Sequence, residues 1–306
     1  MKIAVIGTIV KDRIHYSDGT VVRSLGGLMY SINAFRAVLD ENDYLYPVSY
    51  VGRDIRDEVF SLFAADNQIR TEGLLSYTGP NNQVDLYYQG GDERTEYSRY
   101  PHPPLPYDVL EIILDNAAIL VNMISGWDIR FADYRRLRHI YPGTIALDVH
   151  SLLLGREGDG RRFFRYNPEV IQWIREADII QLNEPEFRSI AQNQSDLQFF
   201  QQNSCFKEQN ILNLTRSHHG STTVYQEGRH VLRLDQTPPG QIDVVDPIGC
   251  GDAFMAGFLI EYLKSQDIHE AAKCANRIAA LTGTFRGLPD PVLLQQKLRE
   301  FSCKQY

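Results

Sequence analysis

Short apolar runs of strand length alternate with amphipathic stretches along this chain, and that alternation constrains its fold more than any other feature. Residues 2–9 read as a buried strand, 28–39 carry apolar residues at helical spacing, 46–51 form a short strand and 55–65 a second helix. Residues 118–124, 143–149, 179–182 and 211–214 continue the series, each beside a helical stretch. Uniformly apolar strands suit a sheet buried on both faces. The pattern therefore predicts the α/β class, with a doubly wound, mostly parallel sheet covered by helices on both sides. A chain of 306 residues buries such a sheet without a disulfide or metal staple, and we read 1–306 as a single domain.

Two segments depart from the alternation. Residues 13–24 (RIHYSDGTVVRS) alternate around Asp18-Gly19, a good hairpin turn, and residues 82–100 are polar and aromatic with a Gly90-Gly91 turn. Both read as strands with one wet face, forming a small β lid added to the main sheet. A pair of surface hairpins is the plainer alternative. Residues 101–106 (PHPPLP) make a stiff connector. The Gln/Asn-rich 192–203 reads as a polar helix and loop without assigned function.

Several function classes are excluded. The chain has 31 Lys+Arg against 39 Asp+Glu, a net charge of −8, and no basic run longer than two residues, which argues against nucleic acid as a partner. Nothing approaches the roughly eighteen apolar residues of a membrane span. The opening MKIAVIGTIV reads as a first core strand, not a signal peptide. Cys205, Cys250, Cys274 and Cys303 show no metal spacing and no disulfide framework, so reduced thiols in a cytoplasmic protein are expected. The first strand is followed by no G-x-G-x-x-G, and neither a Walker loop nor a G-x-S-x-G elbow is present.

Residues 244–263 (VVDPIGCGDAFMAGFLIEYL) carry the chemistry. A β-prone lead reaches Asp246-Pro247. Gly249-Cys250-Gly251-Asp252 then opens a run with helical apolar spacing. Glycines at a helix N-terminus let the backbone approach a ligand, and the free N–H groups with the helix dipole favour an anion. A carboxylate beside that anion suits a base that takes the proton of an attacking hydroxyl while the amides hold a transferring phosphoryl group. A Gly-rich turn with Asp252 as helix cap is the plain alternative.

Asp246-Pro247-Ile248-Gly249-Cys250-Gly251-Asp252 resembles the Asp-Thr-x-Gly-Ala-Gly-Asp signature of the ribokinase-like (PfkB) family of carbohydrate and nucleoside kinases, with Pro247 for Thr and Cys250 for Ala. Residues 25–34 (LGGLMYSINA) are similar to the family's Gly-Gly motif bordering the acceptor, with Ser31 where Asn is frequent and Asn33 two residues later. Val51-Gly52-Arg53-Asp54 resembles a Val-Gly-x-Asp segment, with Asp57 in place of a later Gly. Asn183-Glu184-Pro185-Glu186 matches Asn-x-x-Glu. Thr215–Gly220 (TRSHHG) stands where the family reads Thr-x-Gly-x-x-Gly, with Ser217 for the middle Gly. Asn276, Ala279 and Ala280 resemble the segment lining the adenine pocket.

The resemblance implies an ATP-dependent kinase that phosphorylates a hydroxyl of a small sugar-like acceptor: carbohydrate, nucleoside or cyclitol. It makes Asp252 the base and gives the amides of Gly249, Cys250 and Gly251 the developing charge. Asn183 and Glu186 would hold Mg²⁺ through water. Thr215, Gly220 and Asn276 would border ATP, and Asp12, Gly26 and Gly27 the acceptor. Lids of this family often pair in homodimers. His150 and Leu152 follow Asp148 where many sugar-kinase relatives have Asn and Arg, which weakens a sugar-phosphate acceptor. His218-His219 and Arg161-Arg162 read as solvated pairs, and Trp127 as a core residue or a border of the acceptor pocket. A non-catalytic nucleotide- or sugar-binding protein on the same fold is the alternative. The departures at Ser31, Asp57, Ser217 and Pro247 favour it, and the retained Asp252 and its glycines oppose it.

Overall fold

The computed structural model describes residues 1–90, 93–240 and 242–303. Its first strand, β1 (Lys2–Ile6), stops short of residue 9, because the chain turns at Gly7-Thr8 and Ile9 opens β2 (Ile9–His15) in a second sheet. A Cβ on Gly7 would lie 2.7 Å from the Asn122 carbonyl, so this crossing point needs glycine. The chain then turns through Gly19, at φ +84°, into β3 (Val21–Gly27) and α1 (Leu28–Arg36). β4 (Tyr44–Gly52), α2 (Arg56–Ala64) and β5 (Leu74–Tyr77) follow. β6 (Gln83–Gly90) and β7 (Glu93–Arg99) form the second hairpin. Its Gly90-Gly91 turn reaches residues 91 and 92, which lie outside the described residues.

The remaining elements are α3 (Tyr107–Glu111), β8 (Ala118–Asn122), α4 (Phe131–Ile140), β9 (Thr144–Asp148), the short arm β10 (Leu154–Arg156) and β11 (Arg162–Phe164), α5 (Val170–Arg175), β12 (Ile179–Asn183), α6 (Glu184–Ile190), α7 (Asp196–Gln202), β13 (Ile211–Thr215), β14 (Ser221–Glu227), β15 (His230–Gln236), α8 (Cys250–Ser265), α9 (Ile268–Thr282) and α10 (Pro291–Cys303).

The large sheet runs β15-β14-β13-β12-β9-β8-β1-β4-β5. From β13 to β5 every pairing is parallel, and β14 and β15 add an antiparallel edge. Successive strand residues serve opposite faces. Ala4, Ile6, Ile119 and Val121 pack with Trp173 and Phe187 on one side, while Ile3, Val5, Ala118 and Leu120 pack with Phe254 and Phe258 on the other. Two filled faces explain why these strands are apolar at every position.

The two predicted lid segments form one small sheet, β3-β2-β6-β7, in which β2 and β6 run parallel. Ile14, Leu86, Tyr30 and Ile248 form a separate apolar cluster joining its underside to the main body. The predicted solvated pair at Arg161-Arg162 is half corrected. Arg161 is exposed, but Arg162 is buried, donates to the Ser125 carbonyl at 3.0 Å and stacks on Trp127. Apolar ring contact and one good acceptor make burial of that guanidinium tolerable.

Candidate active site

The carboxyl ends of β8, β9, β12 and β13 lie side by side, with Asn122 opposite Asp148 and Asn183 opposite Thr215. Open α/β sheets bind ligands beyond such strand ends. A cleft of about 1310 Å³ lies there, roofed by the lid and closed below by the first turn of α8. Asp12, Gly27, Asn183, Glu186, Thr215, Gly220, Gly249, Cys250, Gly251, Asp252 and Asn276 all border it. Residues scattered over more than 260 positions of sequence therefore meet in one cleft, large enough for two small ligands end to end.

Asp252 lines it from the first turn of α8. The turn before it needs glycine: Gly249 has φ +77°, and a Cβ there would meet the Tyr30 ring at 2.0 Å. The Cys250 N–H is engaged by the Pro247 carbonyl at 3.3 Å. The amides of Gly251 and Asp252, in the first turn of α8, have no carbonyl of their own helix to reach. Within this turn the Cys250 amide is therefore paired, and those of Gly251 and Asp252 are left without a partner in their own helix.

The Asp252 carboxylate is held from two sides. Asn122 Nδ2 donates to its Oδ1 at 2.5 Å and to Ser31 Oγ at 3.0 Å, and Ser31 Oγ lies 3.5 Å from the same oxygen. Gln181 Nε2 links Asp148 Oδ2 at 2.7 Å to the Gly251 carbonyl at 2.9 Å, tying β9, β12 and α8 together. Burial raises the carboxyls of Asp252 and Asp148 above the usual range, while His150 opposes the rise in both. Burial alone would lower the His150 imidazole. Glu186, Asp148 and Asp252 outweigh it and raise that group to about 9.

Asn183 and Glu186 form a capping box at the start of α6. Asn183 Oδ1 accepts from the Glu186 N–H at 2.8 Å, and Glu186 Oε2 accepts from the Asn183 N–H at 2.9 Å. Asn183 Nδ2 also donates to Glu186 Oε1 at 2.7 Å, with His150 Nδ1 3.5 Å from that oxygen. The capping box fixes both side chains at the cleft wall, and each carboxylate oxygen keeps lone-pair capacity for a further donor.

At the lid end, Asp12 is 5% exposed and borders the cleft. Burial, then Glu96, pushes its carboxyl up to about 8, although Arg94 pulls the other way. Gly26 is not part of the cleft wall. A Cβ there would meet Asp12 Oδ2 at 1.7 Å, so Gly26 makes room for Asp12. Gly27, at φ +57°, does line the cleft. At the far end, Asn276 uses its Nδ2 on Ser221 Oγ and the Ala272 carbonyl, both at 2.8 Å, so its amide nitrogen braces α9 against β14. His218 and His219 face solvent, as expected. Trp127 does not border the cleft; it donates to the His102 carbonyl at 3.2 Å.

Sequence reasoning missed Asn122 and Gln181. Their signal is a polar residue inside, or ending, an otherwise apolar strand: Ala-Ile-Leu-Val-Asn and Ile-Ile-Gln-Leu-Asn.

Residues 163–292 match the profile described as pfkB family carbohydrate kinase. A curated relative, an uncharacterized sugar kinase of Archaeoglobus fulgidus, is 47% identical over 58 residues; that stretch is 18% of this chain and spans 23% of the relative's length. Among solved structures, a pyrophosphate-dependent kinase of the ribokinase family, in a sulfate complex, superimposes with a TM-score of 0.76 at 16% identity, covering 96% of this chain and 99% of that one. Arabidopsis thaliana ribokinase complexed with ribose and ATP gives a TM-score of 0.70 at 16% identity, covering 97% and 98%. Residues 163–292 thus resemble pfkB family carbohydrate kinases, and the fold as a whole is ribokinase-like.

The departures from the pfkB pattern have local explanations. Ser31 is close enough to Asp252 to help Asn122 hold it. Ser217 has a left-handed backbone, φ +49°, a conformation that glycine adopts without steric cost. Asp57 lies exposed in the first turn of α2, where a carboxylate complements the helix dipole. Burial, then Asp246 and Asp252, pushes the Cys250 thiol up to about 12, so it stays a neutral thiol. Cys205 and Cys274 are also free thiols; the Cys303 side chain lies outside the described residues. The Val-Gly-x-Asp segment supports the lid root, where Asp54 binds Lys11 at 2.8 Å and the Asn81 N–H at 2.7 Å. No helix among the described residues is long and apolar enough to cross a membrane.

Proposed function

We propose that this protein transfers the terminal phosphoryl group of ATP to a hydroxyl of a small sugar-like acceptor: ATP⁴⁻ + R–OH → ADP³⁻ + R–O–PO₃²⁻ + H⁺. The observation that carries this reading is the setting of Asp252. It lines the cleft together with Asp12 and Gly27 of the lid side and Thr215 and Asn276 of the main body, in the same helical turn as the free amides of Gly251 and Asp252. The acceptor lies against Asp12 and Gly27 beneath the lid. Asp252 receives the hydroxyl proton as the oxygen attacks. Its raised carboxyl makes it a stronger base than an exposed aspartate, while His150 and Asn122 oppose the rise and favour the charged form. The amides of Gly251 and Asp252 stabilise charge on the transferring group, so catalysis is chiefly positioning and electrostatics.

ATP is favoured as donor because the cleft is also lined by Thr215, Gly220, Asn276, Ala279 and Ala280, the residues that the family resemblance assigns to the nucleotide. Mg²⁺ would neutralise the donor phosphates. Among the described residues, no three His, Cys, Asp or Glu side chains make a metal cage. Glu186, already braced by Asn183, suits a hydrated Mg²⁺ that takes its other ligands from phosphate oxygens. A homodimer through the lid is part of the same reading; His15, Tyr87 and Tyr97 form a ring group on the lid, with the His15 and Tyr87 rings stacked at 4.3 Å. The test is a panel of sugars, nucleosides and cyclitols assayed for phosphorylated product with ATP and, separately, with pyrophosphate. Product with ATP supports the reading. Product with pyrophosphate alone refutes the donor assignment, and no product with either refutes the kinase.

A further inference from the structure

Asp246 is 1% exposed, and nothing in the reaction above uses it. Its two carboxylate oxygens are occupied in a matched way. Oδ1 accepts the Ile248 N–H at 3.0 Å and the Tyr88 hydroxyl at 3.4 Å. Oδ2 accepts the Gly287 N–H at 2.9 Å and the Tyr16 hydroxyl. Each oxygen thus holds one backbone amide of the main body and one tyrosine hydroxyl of the lid.

The two tyrosines come from different hairpins. Tyr16 follows β2 and Tyr88 lies in β6, yet their rings stack at 5.6 Å with planes 4° apart. Burial, then the bond to Asp246, keeps the Tyr16 phenol well above its usual value; burial, opposed by Arg94, raises that of Tyr88 to about 12. Both therefore remain donors. Arg286 reinforces the contact by stacking on Tyr16 at 5.1 Å and pairing with Asp18 at 3.0 Å. On the body side Asp246 has little freedom, because its N–H and that of Val245 both donate to the Gly283 carbonyl, at 3.1 and 2.8 Å. Three residues later Gly249 begins the phosphoryl-binding turn, packed against Tyr30 of the apolar cluster beneath the lid.

We propose that Asp246 is a positioning residue that locks the lid to the Gly249–Gly251 turn, so that lid closure over the acceptor and the setting of the turn occur together. Its catalytic consequence rests on the kinase reading; its structural consequence does not. Removing one hydroxyl would leave the amides on Asp246 intact and release one lid hairpin. A hydrogen bond to a charged acceptor is worth about tenfold or more in such an equilibrium. A closed lid also excludes water from the transferring group.

The test compares wild type with Tyr16→Phe, Tyr88→Phe and the double variant by amide hydrogen exchange, with no ligand present. We expect exchange about tenfold faster both in lid residues 9–15 and 83–88 and in residues 249–252. In an active assay, the acceptor KM rises about tenfold with a smaller change in kcat, and ADP released without acceptor product increases. Unchanged lid exchange overturns the proposal, and so does a faster lid with an unchanged turn. If wild type transfers no phosphoryl group to any acceptor, the kinase reading falls, while the exchange comparison still decides the lock.

Discussion

Asp12→Asn is expected to make the free protein more stable while damaging its use of acceptor. Asp12 is 5% exposed, and its carboxyl is raised to about 8 from the ordinary 3.8, first by burial and then by Glu96. A raised folded value means the native state binds this proton more tightly than the unfolded chain does. Stability is therefore undiminished below about pH 4 and falls as pH climbs toward 8. Each pH unit in that window costs about 1.4 kcal/mol, so the penalty near pH 7 is about 4 kcal/mol at most and about 2 after local relaxation. Asparagine has nearly the same shape and no charge to desolvate. Urea denaturation of both proteins from pH 4 to pH 8 should show equal stability at the acid end and a gap of about 2–4 kcal/mol in favour of the variant at the alkaline end. A gap that does not vary with pH would refute the claim that burial disfavours the ionised form of Asp12. Such a carboxylate is the group that an acceptor hydroxyl would satisfy.

Asn122→Ala removes the shortest donor to Asp252, so the acid limb of kcat/KM should move to higher pH; an unmoved limb would show that Asn122 does not tune the base. Gly251→Ala should fold normally, since its Cβ would meet Gln181 Nε2 at 3.7 Å, yet weaken ATP binding measured by calorimetry; unchanged binding would place the phosphate elsewhere. Gly249→Ala should by contrast lower stability by about 2–4 kcal/mol, through its φ of +77° and the Tyr30 ring, as read by thermal denaturation. The lid dimer predicts a dimeric mass by light scattering, lost on Tyr87→Asp; a monomeric wild type would remove it.

The sheet was legible because its central strands are apolar at nearly every position, which a surface strand cannot be. Its strand ends were less so: the run at 2–9 hides a change of sheet at Gly7-Thr8, since Ile9 is as buried as Ile6 and pattern records burial, not partner. The Gly-Asp turn announced itself through paired glycines at a helix start. Gly26 was read as touching the acceptor, but its need for a missing side chain comes from Asp12, fourteen residues earlier. Asn122 and Gln181 were silent because a single polar residue in an apolar strand acquires meaning only from what the neighbouring strands and α8 bring opposite it. Asp246 was read as part of a signature; three of its four donors, from Tyr16, Tyr88 and Gly287, lie in distant parts of the chain that only the fold assembles.

The most direct test of the account is phosphoryl transfer by Asp252→Asn, with an acceptor that the wild-type protein phosphorylates. The substitution keeps the shape of the turn and removes the proton acceptor. The account predicts a fall in kcat of about 10²–10⁴-fold, with ATP affinity retained or improved as a negative charge leaves the phosphate site. Transfer at the wild-type rate would contradict it.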